Sequence, residues 1–259
     1  MKTAFWKLSG AGNDFVLLPG LPKGRSGAAL ARALCARRSG IGADGLLVMT
    51  RRAGKIRMDY WNADGSAAFC GNGSRCAALW ASARGWVKGK QFTLETNRGR
   101  LSARLTGKGR AEVSMPAPKK LRLGRVLNVG GRRTAVHCVD TGVPHAVVFV
   151  RDVEKINVGE LGRELRFHKI FGRAGANVNF VQIDGNILRV RTYERGVEDE
   201  TLACGSGVVA SAFVARMLGF GRAPVRVAVR SSDTLSVSFD GGPRLEGPGK
   251  TVFSGEVSI

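Results

Sequence analysis

Two Cys-Gly-x-Gly segments contain the residues of this sequence whose types and spacing best suit chemistry. They lie at residues 70–73 and 204–207, and each is followed by a run of Ala and larger apolar residues that ends at a glycine, Gly85 or Gly219. Because a glycine commonly follows the last turn of a helix, each run is predicted to form a helix. A thiol just before a helix lies near unpaired N–H groups and the positive end of the helix dipole, which favour the thiolate and bind anions. Together the segments predict two thiols that act on one small anionic ligand.

The two segments belong to a longer internal repeat. A single such match would be chance, but five matches in the same order within 259 residues indicate a duplication. Two copies favour two similar domains of roughly 130 residues each over a solenoid or a propeller. The other four matches, at offsets of 132 to 134 residues, pair 9–16 with 141–148, 42–46 with 175–179, 57–62 with 189–194, and 100–107 with 234–241.

Each half is predicted to contain several short strands and one strong helix. Short strands between frequent turn signals are typical of a curled, largely antiparallel sheet, and the apolar helix after each Cys segment is expected to be buried. The predicted fold class is α/β, with two pseudo-symmetric duplicated domains, each a curled and largely antiparallel sheet around a central helix. The active site is expected in the cleft between the domains. The predicted strands are 15–18, 45–49, 56–61, 101–105 and 111–115, then 146–150, 180–183 and 188–192.

The stretch at 115–120, rich in Pro and Lys, lies near the midpoint of the chain and is interpreted as a linker. We therefore expect an N-terminal half at 1–118, completed by residues 250–259, and a C-terminal half at 119–249. An Ala-rich stretch with Arg at intervals, 30–38, is interpreted as a further helix on the surface.

Composition limits the possible partners. Hydrophobic residues make up 44% of the chain and charged residues 24%, which is ordinary for a globular protein with a core. No apolar run approaches the ~20 residues that cross a bilayer, and the N-terminus lacks a secretory signal, so we expect no membrane partner and a cytoplasmic location. The net charge is +21, but the basic residues are spread along the chain rather than clustered with aromatics. Nucleic acid is therefore not the expected partner.

The remaining cysteines and the histidines do not indicate a metal or a disulfide framework. An odd number of cysteines, five, argues against a set of disulfides, and Cys35, Cys76 and Cys138 are interpreted as buried apolar residues. There are three histidines, and no pair of Cys or His residues has a zinc-finger or zincin spacing. No lysine lies in a context that indicates pyridoxal phosphate. We expect a protein without metal or cofactor.

A duplicated thiol has a specific chemical use. If the two domains pack about a pseudo-twofold axis, Cys70 and Cys204 approach one ligand from opposite faces. A base on one face and an acid on the other can invert a carbon stereocentre, because one thiolate removes a proton while the other thiol returns one. The paired helix N-termini would bind the carboxylate of the ligand and stabilise the charge that develops on it.

The sequence resembles the diaminopimelate epimerase family over essentially its whole length. The most specific matching segments are 10–15, 62–66, 70–76, 193–196 and 200–207. The resemblance implies an isomerase that interconverts LL- and meso-diaminopimelate in the synthesis of lysine and of peptidoglycan precursors. It also implies a pair of cysteines working without metal or pyridoxal phosphate, a small amino-acid substrate, and a homodimer.

The same resemblance implies roles for individual residues. Cys70 and Cys204 would be the acid/base thiols, with His145 and Glu194 beside them to tune protonation. The polar ends of the substrate would be bound by the side chains of Asn13, Asn62, Asn177 and Arg195. Backbone donors to a carboxylate would come from Gly71 with Asn72 and from Gly205 with Ser206. The site would also be lined by Gly45, which brings no side chain.

Two alternatives remain open at this point. Val143 stands where the family often has Asn, which leaves a related Cys-pair racemase of another amino acid, such as histidine or proline, as an alternative. Arg195, together with Asn62 and Asn177, favours a substrate with a second amino-acid head, as diaminopimelate has. The other alternative, from a different class, is a basic nucleic-acid-binding protein in which the Cys segments are vestigial.

Phe253 stands where some members of the family have a Tyr at the dimer contact. This change keeps the aromatic ring and removes the hydroxyl, so a homodimer is still expected.

Overall fold

The structure is a computed structural model that describes residues 2–220 and 223–259. It divides the chain into a first unit, Met1–Ser114 with Glu246–Ile259, and a second unit, Met115–Leu245. The second of the two boundaries falls between Leu245 and Glu246, within strand β16 (Arg244–Pro248).

The first unit is a curled sheet in which most neighbouring strands are antiparallel. Its strands pair in the order β17, β1, β2, β3, β4, β5, β6, β7, and only the β2–β3 and β4–β5 pairs are parallel. Each parallel pair needs a crossover, and the two crossovers contain helices α1 (Gly27–Cys35) and α2 (Gly71–Ala83). The strands are β1 (Lys2–Gly10), β2 (Asn13–Leu18), β3 (Gly45–Arg52), β4 (Lys55–Asn62), β5 (Gln91–Thr96), β6 (Gly99–Gly107), β7 (Arg110–Ser114) and β17 (Lys250–Ser258).

The second unit repeats this order of hairpins and crossovers. Its strands pair in the order β8, β9, β10, β11, β12, β14, β15, with parallel pairs only at β10–β11 and β12–β14, and the short β13 lies against β12. The two crossovers again contain helices, α3 (Val158–Arg166) and α4 (Gly205–Met217). The strands are β8 (Lys119–Val129), β9 (Arg132–Asp140), β10 (Pro144–Phe149), β11 (Asn177–Asp184), β12 (Ile187–Glu194), β13 (Asp199–Thr201), β14 (Val225–Val229) and β15 (Thr234–Ser238). The duplicated, largely antiparallel α/β fold is therefore confirmed.

Helices α2 and α4 are the central helices of their units. Ten of the 13 residues of α2 are buried, and nine of the 13 residues of α4. Helix α2 contacts β1, β2, β3, β4, β6, β7 and β17, and α4 contacts the second unit's strands from β9 to β12, together with β14 and β15. Gly85 and Gly219, which follow these helices, have φ of 65° and 83°, the left-handed conformation that ends a helix, as predicted.

The outer helices complete the cores. Helix α1 turns Leu30, Ala31 and Leu34 inward onto Leu46 and Val48 of β3. In the second unit α3 packs closely on the sheet, since a Cβ on its Gly162 would lie 2.5 Å from the Cβ of Tyr193 on β12. These contacts pack each outer helix closely on the sheet of its own unit.

Several details differ from the sequence-based expectations. Lys119 and Lys120 lie in β8 rather than in a linker, so only 115–118 lack regular structure there. The helix expected at 30–38 is α1, which begins at Gly27, ends at Cys35 and is half-buried. Cys138 is half-buried on β9, whereas Cys35 and Cys76 are buried and burial raises the pKa of each to about 12. Within the described ranges, no helix has both the length and the apolar character needed to cross a membrane.

Candidate functional site

Cys70 caps the N-terminus of α2. Its backbone is extended (φ −136°, ψ 108°), and its Sγ accepts a hydrogen bond of 3.3 Å from the backbone N–H of Gly73. The carbonyl of Cys70 accepts from the backbone N–H and the hydroxyl of Ser74, at 2.9 and 2.8 Å. Because the first N–H groups of a helix have no partner within the helix, this half-buried sulfur lies where a thiolate or another anion is stabilised.

The first turn of α2 packs tightly against the end of β1. A Cβ on Gly10 would lie 2.7 Å from the Sγ of Cys76 and 3.1 Å from the carbonyl oxygen of Asn72, so only glycine fits there. Gly71 and Asn72 are both buried in this turn. The close approach holds the backbone N–H groups of the turn in place beside Cys70.

The side chain of Asn72 belongs to a chain of hydrogen bonds that spans the first unit's site. Arg75 donates through a terminal nitrogen to Oδ1 of Asn72 at 2.9 Å, and Nδ2 of Asn72 donates to Oδ1 of Asn13 at 2.6 Å. Nδ2 of Asn13 in turn donates to Oδ2 of Asp44 at 3.0 Å. Asn72 and Asn13, two of the four asparagines assigned to the substrate, are therefore in direct contact.

Asp44 is held by a cluster of charges at the start of β2 and β3. The backbone N–H groups of Asp14 and Asp44 each donate to the other's carboxylate, at 3.1 and 3.0 Å, and Arg37 bridges both carboxylates. Lys7 lies 2.7 Å from the Asp14 carboxylate. Burial acts to raise the pKa of Asp14, but its hydrogen bonds with Arg37 and Lys7 outweigh it and lower the pKa. Burial raises the pKa of Asp44, and the neighbouring charge of Asp14 adds to that.

Asn62 and Gly45 face each other across the β3–β4 hairpin. The hydroxyl of Tyr60 donates to Oδ1 of Asn62 at 2.9 Å, and Nδ2 of Asn62 donates to the hydroxyl of Ser66 at 2.9 Å. A Cβ on Gly45 would lie 2.4 Å from a ring carbon of Tyr60. Gly45 thus makes room for the ring that orients Asn62. The same ring makes an edge contact with Phe15, at 6.1 Å between centroids, beneath the first turn of α2.

Cys204 caps α4 in the second unit with nearly the same backbone conformation, φ −118° and ψ 108°. Its side chain is buried, and its Sγ lies 3.4 Å from the hydroxyl of Ser206. The carbonyl of Ser206 accepts from the hydroxyl of Thr141 at 3.1 Å, which ties the first turn of α4 to the end of β9. Each half of the duplication therefore places one thiol at the N-terminus of its central helix.

His145 is completely buried beside this turn and is held in one tautomer. Nδ2 of Asn179 lies 3.1 Å from Nδ1 of His145 and donates to the carbonyl of Ala146 at 3.0 Å, while the hydroxyl of Thr192 donates to Oδ1 of Asn179 at 3.0 Å. An amide nitrogen only donates, so Nδ1 is the acceptor and the ring proton is on Nε2. Burial, aided by the charge of Arg195, lowers the pKa of His145 to about 3, so the ring is neutral at physiological pH.

The other residues assigned to the second half meet at the ends of β11 and β12. Asn177 pairs with His145 between β10 and β11, and its Oδ1 accepts from the backbone N–H of Arg195 at 2.8 Å. The guanidinium of Arg195 donates to the carbonyl of Ala174 at 3.4 Å. Oε2 of Glu194 accepts from the hydroxyl of Thr201 at 2.8 Å.

Within each unit the structure brings together most of the residues that the sequence singled out. Cys70, Asn72 and Asn13 surround one helix start, while His145, Asn177 and Arg195 form one group. Sequence reasoning missed several residues that hold these groups in place. A signal was available for all four, since one lies in the segment 70–76 that carries the resemblance and the other three lie in the repeated segments 42–46, 175–179 and 189–194. The missed residues are Arg75, Asp44, Asn179 and Thr192.

Comparisons with known proteins identify the family of this chain. The family model described as diaminopimelate epimerase matches residues 5–121 and 137–246. A diaminopimelate epimerase of Aquifex aeolicus (strain VF5) is 41% identical, over 98% of this chain and 97% of its own length. One of Methanocella arvoryzae is also 41% identical, over 100% of this chain and 98% of its own length.

Solved structures show the fold alone. A PhzF-family phenazine biosynthesis protein of Bacillus anthracis has a TM-score of 0.77 at 14% identity and full coverage of both chains. A probable proline racemase from Agrobacterium radiobacter K84 has a TM-score of 0.74 at 17% identity, covering 99% of this chain and 93% of its own. The solved structures share only the fold, whereas the family model covers most of the chain and both relatives are 41% identical to it over nearly their whole length. The chain therefore belongs to the diaminopimelate epimerase family.

Proposed function

We propose that this protein is a diaminopimelate epimerase, which interconverts LL- and meso-2,6-diaminopimelate by moving a proton at one α-carbon. The observation that carries the proposal is the pair of thiols, Cys70 and Cys204, each at the N-cap of the central helix of one half in a chain of this family. Such an activity supplies precursors of lysine and peptidoglycan.

In the proposed reaction one thiol acts as base and the other as acid. The thiolate of Cys70 takes the α-proton, so the C–H bond breaks, an S–H bond forms, and the electron pair is left on the α-carbon and its carboxylate. The thiol of Cys204 then delivers its own proton to the opposite face of that carbon, which inverts it. In the reverse direction the roles exchange, as microscopic reversibility requires, and general acid–base steps of this kind are worth about 10²–10⁴-fold in rate.

The helix starts supply the electrostatic part. The N–H groups of Gly71 and Asn72, and those of Gly205 and Ser206, lie in the first turns of α2 and α4. We assign them to the carboxylate next to the reacting carbon, because donors placed before the reaction stabilise charge as it develops.

The remaining polar residues fit two supporting roles. His145 and Glu194 are assigned to tune the protonation of the thiols, and a His that stays neutral can do so without adding positive charge. Asn13, Asn62 and the Asn177–Arg195 pair are assigned to the polar ends of the substrate, with Gly45 lining the site. The hydrogen bond from the Arg195 N–H to Asn177 supports treating those two as one group.

Further properties belong to the same proposal. The enzyme works in the cytoplasm without metal or pyridoxal phosphate, and its halves are the duplicated segments 1–118 with 250–259, and 119–249. We also propose a homodimer. Val252 and Phe253 of β17 are 55% and 48% exposed, which supports an apolar contact there.

The test is incubation with LL-diaminopimelate in D2O, followed by mass spectrometry and chiral separation. A two-thiol mechanism places deuterium in the meso product before the remaining LL substrate exchanges, because the proton returned is not the one removed. Cys70→Ser and Cys204→Ser should each lower kcat by at least about 10²-fold. Cys138→Ser, a matched change at a half-buried thiol outside the proposed site, should not.

Other substrates separate the alternatives. Inversion of L-proline or L-histidine in place of diaminopimelate would assign a different racemase. Salt-dependent retention on DNA without any racemisation would favour a nucleic-acid-binding protein. Near-normal turnover by either serine variant would refute the two-thiol mechanism.

A further inference from the structure

Arg75 is placed where a cation is unfavourable. Its side chain is completely buried, and one terminal nitrogen donates to Asn72, while Nε and the other terminal nitrogen have no hydrogen-bond partner within the described part of the chain. It also lies in the N-terminal half of α2, where the helix dipole already favours negative charge. A buried, incompletely bonded guanidinium lowers stability, so its presence needs an explanation other than the fold.

The explanation lies in the direction of the hydrogen bonds that begin at Arg75. A guanidinium has only donors, so the atom of Asn72 that faces it is the oxygen. Nδ2 of Asn72 therefore faces Asn13, whose Oδ1 accepts. At the other end Asp44 only accepts as a carboxylate, which fixes Nδ2 of Asn13 toward it. A donor at one end and an acceptor at the other allow only one orientation of both amides.

This orientation determines what the two amides offer to a ligand. Each Nδ2 has two hydrogens, and the relay from Arg75 to Asp44 uses one from Asn72 and one from Asn13. The second N–H of each amide remains as a donor, suited to a carboxylate. If either amide rotated by 180°, which changes its shape very little, an oxygen would take the place of that donor and repel the same carboxylate.

On the basis of the proposed function, we propose that Arg75 and Asp44 are positioning residues, which lock the amides of Asn72 and Asn13 with their free N–H groups toward the anionic substrate. Neither residue needs to touch the substrate. Their effect is on binding in the ground state and the transition state alike, so it is expected in KM rather than in kcat.

The first test removes each end of the relay. Arg75→Met removes the obligate donor and keeps the length, and Asp44→Leu removes the acceptor and keeps the approximate size. Loss of a well-aligned donor to a charged group is worth about tenfold to a hundredfold. Each variant should therefore raise KM for LL-diaminopimelate by about tenfold or more, with kcat changed less than about threefold. Arg75→Lys, which keeps a donor and a charge, should restore KM to within about threefold of the wild type.

The second test is the double variant. If both residues act through one relay, breaking it twice does little more than breaking it once, so Arg75→Met with Asp44→Leu should raise KM about as much as the larger single change. Independent effects would multiply to roughly a hundredfold or more. Arg104→Met is the matched control, because Arg104 bonds Glu112 with two hydrogen bonds of 3.1 Å away from this site. It should lower the unfolding midpoint and leave KM unchanged.

Each outcome decides the inference. An unchanged KM in Asp44→Leu, a multiplicative double variant, or equal losses of kcat in Arg75→Met and Arg75→Lys would overturn it. Should Arg75→Met not fold, Asp44→Leu and Arg75→Lys carry the same test. Should the wild type not act on LL-diaminopimelate, the proposed function fails separately. The relay is then tested by the side-chain amide signals of Asn13 and Asn72 in 15N NMR, which must both shift in Asp44→Leu and would refute it by staying unchanged.

Discussion

The equivalent glycines of the two Cys segments should respond very differently to alanine. Gly207 and Gly73 are the third residues of α4 and α2. A Cβ on Gly207 would lie 2.2 Å from Oδ1 of Asn179, whereas a Cβ on Gly73 would meet its nearest neighbour, the end of the Leu47 side chain, at 3.2 Å. Asn179 cannot move aside without cost, because it is completely buried and bonded to His145 and Thr192.

The magnitudes follow from these distances. Alanine in place of glycine within a helix gains about 1 kcal/mol in either case. In Gly73→Ala the flexible Leu47 side chain yields by a few tenths of an ångström, so the free energy of unfolding should change by less than about 1 kcal/mol. In Gly207→Ala the overpacking costs about 1–3 kcal/mol, and displacing Asn179 leaves buried polar groups unpaired at about 1–3 kcal/mol more. Less the gain of about 1 kcal/mol, the net loss should be about 1–5 kcal/mol.

Urea denaturation with two probes can measure this difference. All four tryptophans, Trp6, Trp61, Trp80 and Trp86, lie in the first unit, so their fluorescence follows that unit, whereas far-UV circular dichroism follows both units. Gly207→Ala should lower the midpoint of the dichroism transition much more than Gly73→Ala does, and its activity should fall because His145 loses its support. Equal stability of the two variants, or a greater loss in Gly73→Ala, would refute the packing argument.

Two further outcomes are expected. Because burial lowers the pKa of His145 to about 3 and an unfolded histidine titrates near pH 6.5, its contribution to stability is complete above pH 6.5 and is lost as the pH falls toward 3. The free energy of unfolding should therefore fall less over that interval in His145→Asn than in the wild type, and parallel pH profiles would contradict this. Activity should survive dialysis against a chelator with no absorbance from a cofactor, and recovery of a lost rate by zinc or pyridoxal phosphate would show the assignment to be wrong.

The sequence predicted the duplication and the central helices well, because both leave local signals. A glycine at position 85 or 219 indicates the end of a helix, and the mostly apolar run before it indicates burial. Both signals lie within one short segment of the sequence. Strands β8, β9 and β17 were not predicted. The residues of β8 and β17 are mostly exposed, and β9 begins with two exposed arginines; all three are strands only because each pairs with a neighbour far along the chain or across a hairpin.

The same distinction applies to the candidate site. Residues at motif positions, such as Cys70 and Cys204, could be named from the sequence because their types and spacing imply their chemistry. Arg75, Asp44 and Asn179 act by orienting other side chains, through bonds that depend on which strand ends meet. A sequence does not display the direction of an amide or the close approach of a glycine, so the positioning roles of these residues emerged only from coordinates.

The strand that completes the first unit has a consequence for synthesis on the ribosome. In the second unit β8 directly precedes its partner β9, but in the first unit the equivalent position beside β1 is filled by β17, whose residues follow the entire second unit in the chain. At roughly 5–20 residues per second, more than about six seconds of translation separate the end of β7 from the first residue of β17. The unit translated first is thus the one completed last, and during that interval β1 presents an unpaired edge on which a chaperone can act.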